Sequence, residues 1–201
     1  MTGIAGLISD SHGNNRLLKE AISALSEMGA QTIWHLGDFC DSVRPEQVDE
    51  SVGILKDHNI MAVMGNNEIS ILMEDHTEKI GIKSISFLRN LPFTRSFNGI
   101  CLAHSIPFDY PSATRRPISE YMPILVKQKN PSFHILFRGH SHTPLIQRVN
   151  HTGTKKIPLV TGNNIKLDRN GIYVITIGAL EDGACCIFDP DTRTLRSFYL
   201  K

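Results

Sequence analysis

The sequence lacks the features of membrane, exported and repeat proteins. No stretch approaches the roughly 20 apolar residues that a bilayer-spanning helix requires. The first residues, MTGIAGLISDSHG, contain no basic segment and only a short apolar run, so they do not resemble a secretory signal. No repeat, linker or low-complexity tract is visible. We therefore expect a cytoplasmic protein without a membrane partner, folded as one domain over residues 1–201.

The sequence also lacks an excess of either charge. Lys and Arg number 21 and Asp and Glu number 20, which gives a formal net charge of +1. A nucleic-acid binder usually carries a basic surface, and an acidic tail is a continuous run of Asp and Glu residues. Neither is present, so the sequence carries no strong nucleic-acid signature. Nothing in the sequence indicates the oligomeric state.

Cysteine is scarce and never occurs in CxxC spacing. The four cysteines are Cys40, Cys101, Cys185 and Cys186. A bridge between the adjacent Cys185 and Cys186 would be strained. In a chain without a secretory signal, this pattern favours buried free thiols over disulfides or a structural zinc site.

The first third of the chain predicts alternating strands and helices. Three short apolar runs, GIAGLIS, TIWHLG and IMAVMG, indicate buried strands. Residues 14–28 and 44–59 lie between them and show helical spacing, with Pro45 in the first turn of the second helix. One or two short helices follow within residues 68–91. The βαβαβ order indicates a parallel sheet covered by helices.

The second half of the chain is predicted to be mainly β. Asn98-Gly99 marks the turn of a hairpin in FTRSFNGICLAH, and residues 118–130 are predicted to be helical. FHILFRG is another strand. Five more short strands are expected after Pro144, in PLIQRV, KIPLVT, GIYVITIG, ACCIFDP and TLRSFYL. We expect an α/β fold whose β-rich half packs sheet on sheet.

Polar residues follow successive predicted strands. In open α/β sheets the ligand site lies at the carboxyl ends of the strands, so these side chains should converge on one crevice. Each motif alone is compatible with an ordinary turn, but their recurrence at one strand end after another predicts a site. The residues are Asp10, His12, Asn14, Asp38, Asp41, Asn66, Asn67, Glu68, His104, His140 and His142.

The stretch RGHSHTP is the strongest sign of a metal. On extended backbone, His140 and His142 point the same way because they are two residues apart. Gly139 and Pro144 enclose them. A set of His, Asp and Asn ligands without cysteine suits Mn, Fe, Ni or Zn.

In this order, D-x-H, GDxxD, GNN, a lone His after a strand and GHxH resemble the calcineurin-like metallophosphoesterases. The resemblance is closest to their small bacterial and archaeal phosphodiesterase-type members, and it covers the chain from Gly3 to about Pro190. It implies a four-layer α/β/β/α sandwich. It also implies a hydrolase that acts on a small phosphoester through a hydroxide bridging two divalent metal ions, with Mn favoured.

The resemblance assigns the metal ligands residue by residue. The first ion would be held by Asp10, His12, Asp38 and His142. The second would be held by Asp38, Asn66, His104 and His140, with Asp38 bridging the two.

The sequence departs from the family pattern at two places. Many members have His after the Asn ligand, whereas this chain has Asn67. An amide can donate a hydrogen bond but cannot deliver a proton near pH 7, so phosphodiesters are favoured over phosphomonoesters. The usual Asn-Pro-Gly-Ser of the closing strands is replaced by residues 176–179, Thr-Ile-Gly-Ala.

Four further residues have two readings each. Asn14 could reach the phosphate or cap the first helix. Asp41 could orient a ligand histidine or stabilise a turn. Arg115 and Arg116 could clamp a phosphate or form a solvated pair. The loop from Ser105 to Arg116 and the segment TGNNIKLDRNG are expected to shape the pocket, and His35 is expected to be packed inside its strand.

A second hypothesis is a non-catalytic module on the same fold that binds metal and phosphate, or a protein. The presence of all seven ligand candidates favours a retained metal centre. Asn67 keeps the alternative open.

Overall fold

The computed structural model describes residues 3–74, 78–128 and 131–200, which form two six-stranded mixed β-sheets with helices on both outer faces. The strands are β1 (Ala5–Ile8), β2 (Thr32–His35), β3 (Met61–Ala62), β4 (Thr94–Phe97), β5 (Ile100–Ala103), β6 (Ile135–Arg138), β7 (Leu145–Asn150), β8 (Gly153–Pro158), β9 (Asn164–Lys166), β10 (Ile172–Thr176), β11 (Ala184–Asp189) and β12 (Thr194–Tyr199). The α-helices are α1 (Asn15–Glu27), α2 (Val48–Asp57), α3 (Asn66–Met73), α4 (Ile82–Arg89) and α5 (Ile118–Lys127). Short 3-10 helices occupy Pro45–Gln47, Pro111–Thr114 and Leu180–Asp182.

Sheet A has the order β3-β2-β1-β11-β12-β9, and sheet B has the order β4-β5-β6-β10-β7-β8. In sheet A, β1, β2 and β3 are parallel, as the alternating pattern predicts. In sheet B, β5, β6 and β10 are parallel. The carboxyl ends of these strands therefore carry the polar motifs of both sheets to one edge of the sandwich.

Apolar side chains fill three layers. Between the sheets lie large residues such as Trp34, Phe137 and Phe188, all buried. A second core packs α1 to α4 on sheet A, and a third packs α5 on sheet B. Every residue of β1 is buried because both faces of the sheet are covered, which explains its continuous apolar run. The four-layer α/β/β/α sandwich is confirmed.

Helix α1 shows how sequence sets the packing. Leu18, Ala21, Ile22 and Leu25 form its buried stripe. A Cβ on Gly6 would lie 2.8 Å from Leu25 Cδ1, so glycine in β1 allows the close approach of this helix. None of the described helices combines the length and apolar character needed to cross a bilayer.

The four cysteines are free and buried, as the sequence predicts. Burial raises the pKa of each thiol above its usual value, and the nearby Glu68 carboxyl adds to the effect at Cys40.

Some elements differ from the sequence predictions. The helix expected over 44–59 is split into the Pro45–Gln47 turn and α2. The segment TGNNIKLDRNG contains the edge strand β9, which pairs with β12; β11 and β12 lie between it and β1, so it does not border the strand ends that carry the polar motifs. Of the predicted helical stretches, residues 75–77 and 129–130 lie outside the described residues.

Candidate metal centre

The structure brings the seven predicted ligands to one edge of the sandwich. Two groups have ligand atoms that all lie within 4.8 Å of one another: Asp10 with His12 and His142, and Asp10 with Asp38 and His104. The other two candidates adjoin the second group. Asn66 Oδ1 lies 3.1 Å from His104 Nε2, and the ring centroids of His140 and His104 are 5.1 Å apart.

The first group has the spacing of ligands on one ion. His12 Nε2 and His142 Nε2 are 3.4 Å apart, and His142 Nε2 is 3.4 Å from Asp10 Oδ1. Two ligands about 2.1 Å from a tetrahedral zinc-sized ion would be about 3.4 Å apart. The donor set therefore fits a divalent cation.

The second group centres on His104. Its Nδ1 donates to the Leu36 carbonyl over 2.8 Å, which directs Nε2 toward Asp38 Oδ2 at 3.4 Å. Burial opposes protonation, but Asp38 and Asp10 outweigh it and raise the pKa of His104 to about 9. The acidic surroundings therefore favour a positive charge at this imidazole.

The carboxylates themselves are held in the ionised form. Burial would raise the pKa of Asp38, yet His104 and Asn67 lower it well below its usual value. The pKa of Asp10 is also lowered, because the hydrogen bond to His142 and the charge of His104 together outweigh the effect of burial, which would raise it. Asp10 belongs to both groups of ligand atoms, a position that the family resemblance assigns to Asp38.

Backbone strain is concentrated at the site. A left-handed conformation is uncommon for residues other than glycine, and strained backbone of this kind costs about 1–3 kcal/mol per residue. Five of the seven ligand candidates have φ between 44° and 68°: Asp10, His12, Asp38, His140 and His142. Local propensity does not favour these conformations, so tertiary contacts must hold them.

Two glycines allow the ligand loops to meet. A Cβ on Gly139 would collide with the Ser9 hydroxyl and the Asp10 carboxylate, and one on Gly65 would collide with Asp38. Without a side chain at position 139, the backbone N–H of His140 donates to Asp10 Oδ2 over 3.0 Å. The glycine before each motif is thus a requirement of close packing.

Glu68, one of the polar residues expected near the site, joins two of the loops, a role that its motif does not indicate. Its buried carboxylate accepts backbone hydrogen bonds from Asp38, Cys40 and Gly65 at 2.8–2.9 Å. Burial and the nearby Asp38 charge raise the pKa of Glu68 to about 7, while the Cys40 and Gly65 N–H groups oppose the rise. Half of a capping-box pattern, Gly65-x-x-Glu68, is the available sequence signal.

Arg138 supports the GHxH loop, a role that the sequence motifs did not indicate. It is buried and donates to the Ser105 carbonyl, to Ser141 Oγ at 3.1 Å and to Thr176 Oγ1 at 2.7 Å. Ser141 lies between His140 and His142, so the hydrogen bond from this guanidinium helps to hold the loop in place. Burial lowers the pKa of Arg138 to about 10, which leaves it charged near pH 7.

Glu181 places a further carboxylate at the site. Its Oε1 lies 3.1 Å from His142 Nδ1 and 3.8 Å from His12 Nε2. The short helix Leu180–Asp182 holds it there, because Glu181 N donates to the Asp10 carbonyl over 3.1 Å. This helix follows residues 176–179, where the sequence departs from the family pattern.

Asn67 lies inside the centre with its polar atoms engaged. Its backbone N and Nδ2 donate to the two oxygens of Asp38, each over 2.8 Å, and its Oδ1 accepts from Ser42. Nδ2 is also 3.3 Å from His12 Nδ1. The amide therefore orients Asp38 and faces His12.

The remaining predicted residues make contacts that stabilise the local structure. Asn14 Oδ1 caps α1 at Leu17 N, and Asp41 binds Val43 N and Arg44 Nε, as in the turn reading. His35 is buried and contacts Ser11 Oγ, and burial lowers its pKa to about 3.

The two loop arginines have different partners, and their role in binding phosphate stays a prediction. Arg115 donates to Ser70 Oγ, which in turn donates to the Asn66 carbonyl over 3.0 Å. Arg115 therefore contacts α3, the helix that begins at the ligand candidate Asn66. Arg116 pairs with Glu120 on α5.

Comparison with known proteins places this site in a family context. The calcineurin-like phosphoesterase superfamily domain matches residues 4–161. A solved metallophosphoesterase from Sphaerobacter thermophilus is similar over 100% of this chain and 89% of its own, with 22% identity and a TM-score of 0.76.

Two more distant structures share the fold. A putative diadenosine tetraphosphatase covers 100% of this chain and 96% of its own at 13% identity and a TM-score of 0.63. An archaeal phosphodiesterase covers 98% and 99% at 13% identity and a TM-score of 0.55. No curated protein sequence matches the chain.

Proposed function

The chain belongs to the calcineurin-like phosphoesterase superfamily, and we propose that it hydrolyses phosphodiesters at a centre of two divalent metal ions. The observation that carries the proposal is the pair of ligand groups joined through Asp10. His12 and His142 belong to the group for one ion, and His104, with Asn66 and His140 beside it, to the group for the other. Asp38 remains the predicted bridge.

The bound ions would act as Lewis acids on the phosphoryl oxygens and lower the pKa of a water molecule, the nucleophile, toward about 7. The chain positions these groups. Leu36 fixes the tautomer of His104, Glu181 orients His142, and Asn67 orients Asp38. Such outer contacts set ligand direction and basicity.

Asn67 supports a preference for diesters with good leaving groups. Its Nδ2 already donates to Asp38 and faces His12, and an amide cannot protonate a departing alkoxide. A diester with an acidic leaving group does not need that proton. We expect a small phosphoester as substrate, Mn²⁺ as the preferred ion and the cytoplasm as the location.

The test combines metal content with hydrolysis. The protein is purified without chelator, its metal is measured, and bis-p-nitrophenyl phosphate is compared with p-nitrophenyl phosphate in Mn²⁺. We expect about two ions per chain and faster diester hydrolysis, both reduced in His142→Ala. His58→Ala, which changes an exposed histidine at the C-terminal end of α2, is the matched control and should behave as wild type.

Other results would select other readings. No bound metal after Mn²⁺ is supplied would refute the centre. Two ions without turnover of either ester would support the second candidate, a module that binds metal and phosphate, which the engaged amide of Asn67 favours.

A further inference from the structure

An apolar groove lies on the outer face of sheet B, in the layer that α5 covers. Helix α5 forms one wall, and strands β7 and β8 form the rest of the lining. The groove has a volume of about 560 Å³, and none of the seven ligand candidates contributes to it, so it is separate from the metal centre. Its apolar lining consists of Ile118, Met122, Pro123 and Val126 of α5 and Leu145 of β7. We call it the α5 groove.

The apolar lining is open to a bound molecule. Ile118, Val126 and Leu145 are half-buried, and Pro123 is exposed. Ile118, Met122 and Val126 are four residues apart, so they form a ridge along one side of α5. At a rise of about 1.5 Å per residue the ridge is about 12 Å long, which an extended chain covers in about four residues. The groove therefore has the length of a short peptide segment.

An amide in the floor of the groove lacks a partner. Gln147 lies between Val174 of β10 and Lys156 of β8 in the sheet. Its side chain is 9% exposed and forms no hydrogen bond with the described residues, yet both amide atoms are accessible to solvent. An amide donates and accepts at once, so it can pair with the C=O and N–H of an extended backbone, whereas a helix has bonded those groups internally. Gln147 therefore favours an extended segment over a helix.

The two sides of the groove carry positive charge without a counter-ion. Lys127 ends α5 and Lys156 lies on β8, so the lysines come from different walls. Both are exposed, and neither forms an ion pair with another residue that the structure describes. No Asp or Glu contributes to the described part of the lining. Carboxylates on a bound segment would complement this charge.

We propose that the α5 groove binds an extended acidic segment of a partner protein, with its apolar side chains in the groove and its carboxylates on Lys127 and Lys156. Side chains alternate along an extended chain, so apolar residues can enter the groove while their acidic neighbours reach its sides. Gln147 holds the backbone of the segment. This inference is independent of the proposed hydrolysis, because the groove contains none of the ligand candidates.

The test uses three fluorescein-labelled peptides and fluorescence anisotropy. The first is Glu-Leu-Glu-Leu-Glu. The second, Lys-Leu-Lys-Leu-Lys, reverses only the charge, and the third, Glu-Ser-Glu-Ser-Glu, removes only the apolar side chains. We expect the first peptide to bind with a Kd lower than that of either other peptide by about tenfold or more.

Three variants locate the binding. Lys156→Glu should raise the Kd of the first peptide by about tenfold or more, because it places a carboxylate where the peptide carries one. Lys83→Glu makes the same change at an exposed lysine of α4, on the outer layer of sheet A, and should bind as wild type. Gln147→Leu should raise the Kd severalfold, since it removes the backbone contacts. A groove that bound apolar side chains alone would bind as well or better with leucine there.

Thermal unfolding verifies that each variant is folded, and sedimentation shows whether the chain self-associates. Absence of binding by Glu-Leu-Glu-Leu-Glu, or equal binding of the three peptides, would overturn the inference. So would a Kd that Lys156→Glu and Gln147→Leu leave unchanged. A dimer that Lys156→Glu dissociates would assign the groove to a second copy of the chain and overturn the assignment to an acidic partner.

Discussion

Glu181 supplies a carboxylate that the ligand motifs do not contain. It lies 3.1 Å from His142 Nδ1, so it fixes the ring and increases the basicity of Nε2. We expect Glu181→Gln to weaken Mn²⁺ binding about 10- to 100-fold, measured by titration calorimetry. Asp182→Asn removes the same charge from the next, exposed residue and should bind Mn²⁺ nearly as wild type. If both variants lost the same Mn²⁺ affinity, the effect would come from the net negative charge near the site and not from the contact between Glu181 and His142.

His104 makes metal binding depend on pH. Its pKa is about 9 in the metal-free fold against an ordinary 6.5, and Nδ1 already donates to Leu36, so the extra proton lies on Nε2. The stability that this proton contributes is fully present below pH 6.5 and is lost as pH rises through 9. A metal at Nε2 must displace the proton, so Mn²⁺ affinity should increase with pH up to about 9. Calorimetry at pH 7.5 in two buffers of different ionisation enthalpy should show the release of at least about one proton; identical heats would contradict it.

The sequence shows some of these residues and conceals others. The ligands follow strands within short motifs, so they can be recognised from local pattern. Arg138 and Glu181 cannot be recognised in this way, because each has a partner that is distant in sequence. Arg138 contacts Thr176, and Glu181 contacts His142. The left-handed backbone at Asp10 has no local signal, because Asp tolerates but does not require it.

At the level of elements, two glycines give opposite expectations. A Cβ on Gly139, after β6, would collide with the end of β1, so Gly139→Ala should destabilise the fold by about 1–3 kcal/mol and reduce metal content. Gly53 lies within α2, and a Cβ added there would have no neighbour within 4 Å among the described residues. Gly53→Ala should therefore stabilise the fold by about 0.5–1 kcal/mol. Urea unfolding measures both, and a stable, metal-replete Gly139→Ala would refute the packing argument.

Most elements could be predicted, and the exceptions have physical reasons. Amphipathic spacing indicates α1 because its apolar stripe recurs over 13 residues. Strand β9 has three residues, too few for an alternating pattern, and its pairing with β12 creates it. The split before α2 arises at Pro45, whose ring suits a first turn but does not determine whether that turn is 3-10 or α.

At the scale of the whole molecule, the candidate metal centre joins the two sheets. Asp10, His12 and Asp38 follow strands of sheet A, whereas His104, His140 and His142 follow strands of sheet B. Ions bound there stabilise only the assembled sandwich. Mn²⁺ at 100 times its Kd should add about 2.7 kcal/mol to the free energy of unfolding and raise Tm, and EDTA should reverse the change. A Tm that is the same with Mn²⁺ and with EDTA would contradict the link.

The arrangement of the sheets was only partly visible in the sequence. The βαβαβ order predicts the parallel strands β1 to β3, but the antiparallel pairing of β1 with β11 joins residues about 180 positions apart. No local pattern specifies that register, and the sandwich followed from the family resemblance. That residues 1–201 form a single domain stays a prediction.

The cysteines give each apolar layer its own chemical reporter. Cys40 and Cys185 lie in the core beneath α1 to α4, Cys186 lies between the sheets, and Cys101 lies beneath α5. A thiol reagent can reach each one only when its layer opens, so modification rates followed by peptide mass would record the opening of the three layers separately. The native chain thus contains internal probes of its own local unfolding, with no label to introduce.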